Sequence, residues 1–459
     1  MMGIGREGRN SALAIVSATL VLVAYAAIFD LLDRYDWDQA FVRFACLASL
    51  LAMTLGTRRR PDMPPHEAGE IAAIVAPAFA ILALNWGLYK SLEDLHSPPV
   101  VDIGQTTQEA ARLVFLDGKN PYESRTIAVL GDNPSMWGFK YGPTMILGYA
   151  ISVVNPANGI KSTSLAYLGA TVVLVFLLGR GRGEMSESTA TAWFCCTLML
   201  LPNRLWHELF HQGSNDIFPV MLILGSILAV RGKAWAWAGL LAGLSLTAKV
   251  SPAIFYLVLF VRRRPEPRFV VGFAAGLVPL LPFLAWDAGA LFRNVVLFHS
   301  TKAADSTSLY SITPKELHYA FTAIQLMTIA LVIAKNFHAR LDHRSLVFWY
   351  LVLTLLCEMS YREVHGNHLI WFMPFAALQF GWNRQAFLPN IASALRSFGD
   401  ESPAPAPRAD HAASRPEGRA SNRQSAEGDR PLENFDDQRL PAGSGEPSGR
   451  DGNTSNTLL

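Results

Sequence analysis

The run Gly69-Glu70-Ile71-Ala72-Ala73-Ile74-Val75-Ala76-Pro77-Ala78-Phe79-Ala80-Ile81-Leu82-Ala83-Leu84-Asn85-Trp86-Gly87-Leu88, with the polar excursion from about Lys90 to Pro143 behind it, decides the fold. The apolar run is long enough to cross a hydrocarbon core, which takes about 20 residues of helix. The excursion is far longer than a connection between spans needs. Three clusters punctuate it: Pro98-Pro99-Val100-Val101-Asp102, Gly118-Lys119-Asn120-Pro121-Tyr122 and Phe139-Lys140-Tyr141-Gly142-Pro143. Asp102 stands just where the chain leaves the span.

Working outward, 51% of the 459 residues are hydrophobic and only 17% charged, too apolar a balance for a soluble protein. Ser11–Leu32 and Phe269–Trp286 are further membrane-length windows. The expected class is an all-α polytopic membrane protein. A net charge of +2 gives no basic surface that calls for nucleic acid. Cys46, Cys195, Cys196 and Cys357 all fall inside apolar windows, without metal or disulfide spacing. The first apolar run is too long for a signal h-region and reads as a retained span.

About twelve crossings are expected at this length criterion. They lie near Ser11–Leu32, Ala40–Thr57, Gly69–Leu88, Ser164–Leu178, Ser188–Leu201, Asp216–Val230, Ala234–Ala248, Ser251–Val261, Phe269–Trp286, Tyr319–Ala334, Ser345–Glu358 and His368–Trp382. Arg58-Arg59-Arg60, Arg180 with Arg182, Arg231 with Lys233, Arg262-Arg263-Arg264, and Lys335 with Arg340 and Arg344 then share one side, which the positive-inside rule makes cytoplasmic. Left outside are the Lys90–Pro143 excursion, Asn203–Asn215, Asp287–His318 and Met359–Asn367.

Met145–Val154, bracketed by Pro143 and Pro156, is too short to cross and is expected to lie in the outer interface, with Thr107–Leu116 as a second, more polar helix beside it. The chain thus divides into three N-terminal membrane helices (1–89), an outer loop with juxtamembrane helices (90–162), a transmembrane bundle (163–385) and a cytoplasmic tail (386–459). From about Gly399 the tail is rich in Pro, Gly, Ser, Asp and Arg and is expected to be disordered.

Four groups could carry chemistry. Asp102, at the outer mouth of a span, can stay ionised and accept a proton, or is simply a solvated loop aspartate. Lys249, in Leu246-Thr247-Ala248-Lys249-Val250-Ser251-Pro252, lies remote from the cytoplasmic charges and needs a partner, unless it snorkels to the headgroups. His207-Glu208-Leu209-Phe210-His211-Gln212-Gly213-Ser214-Asn215-Asp216 is dense in hydrogen-bonding groups suited to a sugar or phosphate. Its His207 and His211 lack the His-Glu-x-x-His order of a metalloprotease, and no metal is expected. Arg362, His365 and His368, ahead of Pro374, could supply donors to a phosphate or form an interfacial belt.

In this order the pieces resemble the bacterial GT-C glycosyltransferases, most closely the polyprenyl-phosphate-mannose-dependent glycosyltransferase family 87 type. The resemblance rests on Asp102, Ala110-Ala111, Leu116, Gly118 and Asn120-Pro121-Tyr122, then on Phe139-Lys140-Tyr141-Gly142-Pro143 and His211-Gln212-Gly213-Ser214-Asn215. Ala238-Gly239-Leu240-Leu241-Ala242-Gly243, Lys249-Val250-Ser251-Pro252, and His365 and His368 complete it. It covers about Val101 to Phe375. Gly142 stands where the family tends to have the first Pro of a pair, His211 where it has Gly before Gln212, and two extra spans precede Asp102.

The resemblance implies a GT-C-like bundle that transfers a hexose, mannose by this likeness, from a polyprenyl-phosphate sugar to a lipid or glycan acceptor. Asp102 takes the position of the catalytic base, and Lys249, His368, His365 and Arg362 that of donor-phosphate ligands. Tyr122, Tyr141, His211, Gln212 and Asn215 are the expected substrate contacts. No cofactor is implied beyond the lipid-phosphate donor, and the expected setting is the bacterial inner membrane with a periplasmic site. A glycoside hydrolase would need two carboxylates flanking the bond. The alternatives are a transporter or flippase of lipid-linked sugars, which should show internal repetition, and a membrane glycan polymerase or ligase.

Overall fold

A computed structural model describes residues 65–97, 99, 102–123, 138–155, 159–181, 185–261, 265–298, 313–314, 318–337, 342–359 and 366–383. The expected spans Ser11–Leu32 and Ala40–Thr57, the clusters Arg58-Arg59-Arg60 and Arg262-Arg263-Arg264, and the tail from 386 lie outside those residues. Among the described residues every regular element is helical.

Helix α1 runs Pro65–His96. Its 32 residues rise about 48 Å, well beyond a hydrocarbon thickness of about 30 Å, so the expected span Gly69–Leu88 continues as helix into the polar excursion. Helix α2, Asp102–Phe115, starts five residues before the expected Thr107–Leu116. It buries Gly104, Thr107 and Ala111, one face at helical spacing, and turns Arg112 and Phe115 outward. The segment after Pro143 forms α3, Pro143–Gly148, and a 3-10 turn, Ala150–Val154. Pro143 opens α3 because its missing N–H has no partner to lose there.

The bundle follows as α4 (Gly159–Gly179), α5 (Met185–Leu200), the short α6 (Asn203–Trp206) and α7 (Ile217–Arg231). Next come α8 (Trp235–Ala248), α9 (Val250–Val258), α10 (Pro267–Gly276) and α11 (Leu280–Phe292). Last are α12 (His318–Asn336), α13 (His343–Met359) and α14, spanning 369–383. Gly159–Gly179, Leu280–Leu297 and His318–Asn336 are the described helices long and apolar enough to cross a membrane unaided. Shorter apolar helices accompany them, including Ser188–Leu200, Ile217–Arg231, Trp235–Ala248 and His343–Cys357. Leu326, Met327 and Leu331 on α12, and Val271, Val278 and Leu281 along α10 and α11, are exposed, a surface suited to lipid rather than water.

Two boundaries differ from expectation. The single span Phe269–Trp286 is divided at Leu277–Pro279, because Pro279 and Pro282 offer no N–H to the carbonyls four residues earlier. The chain crosses the break on three-residue bonds, Leu277 N–H to Ala274 O at 3.1 Å and Leu280 N–H to Leu277 O at 2.9 Å. Asp287, the expected exit, is a kink instead: its backbone is extended (φ −158°) and its Oδ1 accepts the Ala290 N–H at 2.9 Å, which restarts the helix. A π-helical turn then carries the chain to Leu297.

α8 and α10 meet backbone to backbone through Gly239 with Gly243 and Gly272 with Gly276, small residues four apart on each helix. A Cβ on Gly239 would lie 2.0 Å from the Phe269 carbonyl oxygen. This seam fixes α8, and hence the place where α8 delivers Lys249.

Candidate functional site

The site is built where α1 hands over to α2. Pro99 and Gly104, either side of that junction, both press on Gly213: a Cβ on Gly104 would lie 2.3 Å from the Gly213 carbonyl oxygen, and one on Gly213 would lie 2.6 Å from Pro99 Cβ. Gly213 also has φ +78°, a left-handed conformation that favours glycine. The Gln105 amide donates to the Pro99 carbonyl at 2.8 Å. One turn on, Asn215 Nδ2 donates to Thr107 Oγ1 at 2.7 Å, and Thr107 in turn donates to the Ile103 carbonyl at 2.7 Å. The first turn of α2, with Asp102 as its first residue, is thereby docked on 213–215.

The residues it docks on are shaped by a π-helical turn, His207–His211, after α6. The His207 and His211 rings stack at 4.7 Å. His211 Nδ1 lies 2.9 Å from Asp94 Oδ1 at the end of α1, and the Gln212 amide lies 3.0 Å from His207 Nε2. Glu208 is buried and paired with Arg204 at 2.6 Å. Burial raises its pKa above 4.5, Arg204 offsets part of that, and the charge of Asp216 adds to it.

Asp216, fully buried at the head of α7, is the centre of the cluster. Its Oδ1 accepts from Trp371 Nε1 at 2.7 Å and from the Lys249 ammonium; its Oδ2 accepts from Ser214 Oγ at 2.7 Å and from the Asn367 amide. Four donors saturate the carboxylate, which is the condition for keeping an anion out of water. Lys249 is the extended residue between α8 and α9. Its ammonium sits 4.9 Å from the Tyr141 ring centroid and 5.1 Å from that of Trp371. His368 stacks on Trp371 at 4.1 Å.

Tyr141 reaches Lys249 because its loop is clamped to the end of α8. Gly142 N–H donates to the Ala248 carbonyl at 3.0 Å, and Thr144 and Thr247 hydroxyls meet at 2.6 Å. A Cβ on Gly142 would lie 1.9 Å from the Thr247 oxygen, so this chain needs glycine at the position where the family pattern has proline. Tyr122 closes the loop from below: it is fully buried, packs edge-on to Phe283 at 5.6 Å, and donates its hydroxyl to the Tyr141 carbonyl at 2.9 Å.

The structure therefore brings Tyr141, Asn215, Lys249 and His368 into one cluster and sets Gly104 and Thr107 of α2 against Gly213 and Asn215. His211 faces the end of α1, and Gln212 meets His207. Tyr122 lies beneath, in the aromatic core. The Asp102 side chain, Arg362 and His365 lie outside the described residues. Among the described residues no group of three or more His, Cys, Asp or Glu side chains is arranged to hold a metal ion. Asp216, Asn367 and Trp371 were not singled out from sequence. The need of Lys249 for a partner was the available signal, since Asp216 is the carboxylate heading an adjacent span.

The model of glycosyltransferase family 87 matches residues 139–360. That segment is similar to glycosyltransferase family 87. The matched stretch also holds described helices long and apolar enough to cross a membrane. The matched region includes Tyr141, Asp216 and Lys249, starts after Asp102 and ends before His368. No curated protein and no solved structure matches the chain.

Proposed function

We propose that the protein transfers a hexose, mannose by the likeness of its motifs, from a polyprenyl-phosphate donor to a lipid or glycan acceptor at the periplasmic face of the bacterial inner membrane. The observation that carries this reading is the docking of the α2 start on Gly213 and Asn215, one residue from the Asp216–Lys249 pair. On this reading a base and an anion-binding group act together on the outer side of the bundle.

In the reaction, the Asp102 carboxylate takes the proton of the acceptor hydroxyl. The hydroxyl oxygen attacks the anomeric carbon, and the bond from that carbon to the phosphate oxygen breaks with inversion. The electron pair leaves on polyprenyl phosphate. One base suffices because the leaving group is already good, and the remaining demand is for charge stabilisation. Lys249 suits it: of its three N–H donors one serves Asp216, and two ring faces hold the ammonium in place. The Asp216–Lys249 pair is neutral overall, so His368, with Arg362 and His365, supplies the further donors that a phosphate needs. Tyr141 lies against Lys249, and Asn215, Gln212 and His211 belong to the outer segment that precedes Asp216.

The test is transfer by the purified protein in lipid nanodiscs, given labelled polyprenyl-phosphate mannose and a membrane acceptor fraction. Labelled product with inverted anomeric configuration is expected. Absence of transfer from every polyprenyl-phosphate hexose offered would overturn the reading.

A further inference from the structure

The segment formed by α3 and its 3-10 turn is apolar on two sides. Met145, Ile146 and Tyr149 are fully buried in the aromatic core, yet Leu147, Ile151 and Val154 are 45%, 69% and 81% exposed. Spaced four and three apart, these three make a ridge that water would penalise. Its depth follows from the helices behind it. Arg180 follows the last residue of α4, and about 20 residues of helix cover the roughly 30 Å of a hydrocarbon core. Counted from that end, the far edge of the core falls near Ile160, and Tyr167 lies about 10 Å inside it. Counting along α7 from Arg231 gives Phe218 the same depth, and the Tyr167 and Phe218 rings do meet, at 4.7 Å. Gly148 touches both: its carbonyl accepts from the Tyr167 hydroxyl, and a Cβ on it would lie 2.6 Å from the Phe218 ring. The 3-10 turn sits higher, since a Cβ on Gly159, the first residue of α4, would lie 2.3 Å from the Ser152 carbonyl oxygen.

A second observation agrees with that depth. A six-residue helix leaves its last carbonyls without donors of its own, and in hydrocarbon no water supplies them. Here they are supplied by the protein. Beside the Tyr167 bond, the Tyr149 carbonyl accepts from the Ser152 N–H at 2.9 Å and its Oγ at 2.6 Å. The Ser152 carbonyl accepts from the Gln108 amide at 3.3 Å, and the Asn155 carbonyl from the Gly159 N–H at 2.7 Å.

We infer that α3 and its 3-10 turn dip into the acyl region of the leaflet opposite Arg180, and that lipid chains cover Leu147, Ile151 and Val154. The sequence places this segment at the interface; its packing places it deeper. The ridge continues the lipid-facing side of α4, where Val173 and Leu177 are also exposed. The inference holds or fails independently of the proposed transfer.

The experiment attaches nitroxides to Leu147→Cys, Ile151→Cys and Val154→Cys in the full-length protein in nanodiscs. It reads collisional access to oxygen, which concentrates in hydrocarbon, and to a nickel chelate, which stays in water. Cys195, Cys196 and Cys357 are buried, and the parent labelled in the same way supplies the background. Lys119→Cys, at an exposed loop position, marks water, and Leu326→Cys, exposed on α12, marks lipid. The oxygen-to-nickel ratio should be highest at residue 147, lower at 151 and lowest at 154, with all three above residue 119 and residue 147 near 326. Ratios equal to that of residue 119 would put the ridge in water. Shielding from both reagents would mean that another part of the chain or a second copy covers it. Either result, or the reverse order, overturns the inference. Independently, Ile151→Asp should lower the melting temperature in nanodiscs and Ile151→Phe should not, because a carboxylate facing hydrocarbon is costly. An unchanged melting temperature in Ile151→Asp overturns it as well.

Discussion

The two ends of the bundle use the same kind of contact for different ends. Where α4 and α7 begin, charge is buried: Lys161 and Asp216 are fully enclosed and Lys249 is 7% exposed. Where the same helices finish, charge stays at the surface. Arg231 donates to the Arg180 carbonyl at 2.6 Å and to the Leu178 carbonyl at 3.3 Å, capping α4. Asp342 accepts from the Arg344 and Ser345 N–H groups at 2.9 and 3.1 Å, capping α13, and Arg344 lies 5.4 Å from the Trp382 ring. An exposed ion is screened and adds little, whereas a buried one is costly when alone and so dictates the geometry of its partners. The first end is built for position, the second for solubility and helix ends.

The largest effect should come from Asp216→Ala. It strands a buried ammonium and should cost about 3–5 kcal/mol of stability, read by reversible denaturation in detergent. Asp216→Ala combined with Lys249→Met should regain most of that loss while remaining inactive. A single-variant loss as small as that of a surface pair would erase the contrast between the ends.

Smaller effects separate two carboxyls by the sign of their pH dependence. Burial holds Glu208 above 4.5, with Arg204 offsetting only part. The folded protein therefore grips that proton more tightly than the unfolded chain, and a stability penalty grows as pH rises from 4.5 through the folded value. Against Glu208→Gln, the parent should lose stability over that window. For Asp342, burial works upward but hydrogen bonds from Ser345 and Arg344 outweigh it, holding the carboxyl below 3.8. Its cap should contribute about 1 kcal/mol, present above 3.8 and lost as pH falls through the folded value, against Asp342→Ala. Melting curves across pH check both, and slopes of the same sign would contradict the assignment.

Helices bounded by their own composition were legible in the sequence. The expected Asp216–Val230 and Tyr319–Ala334 are found as Ile217–Arg231 and His318–Asn336. The extension of α1 to His96 was not, because Lys90, Glu93 and Asp94 read as loop while the helix they continue is held by Lys161 and His211 from elsewhere in the chain. The break at Leu277–Pro279 was written in two prolines but masked by the hydropathy around them. In the cluster, the need of Lys249 for a partner was legible, and Gly213 stood out as a motif residue. Asp216 was not, since its partners Lys249, Asn367 and Trp371 lie 33, 151 and 155 residues away and no local pattern joins them. Gly142, a departure from the family pattern, is explained only by the Thr247 carbonyl beside it.

The central claim is that the acid at the start of α2 is the base of the proposed transfer. The rate of sugar transfer by Asp102→Asn, in folded full-length protein at saturating donor, tests it most directly. The account predicts a fall of about 10³-fold with donor binding retained, in line with loss of a general base. A rate within about two-fold of the parent, too small for any general base, would contradict it.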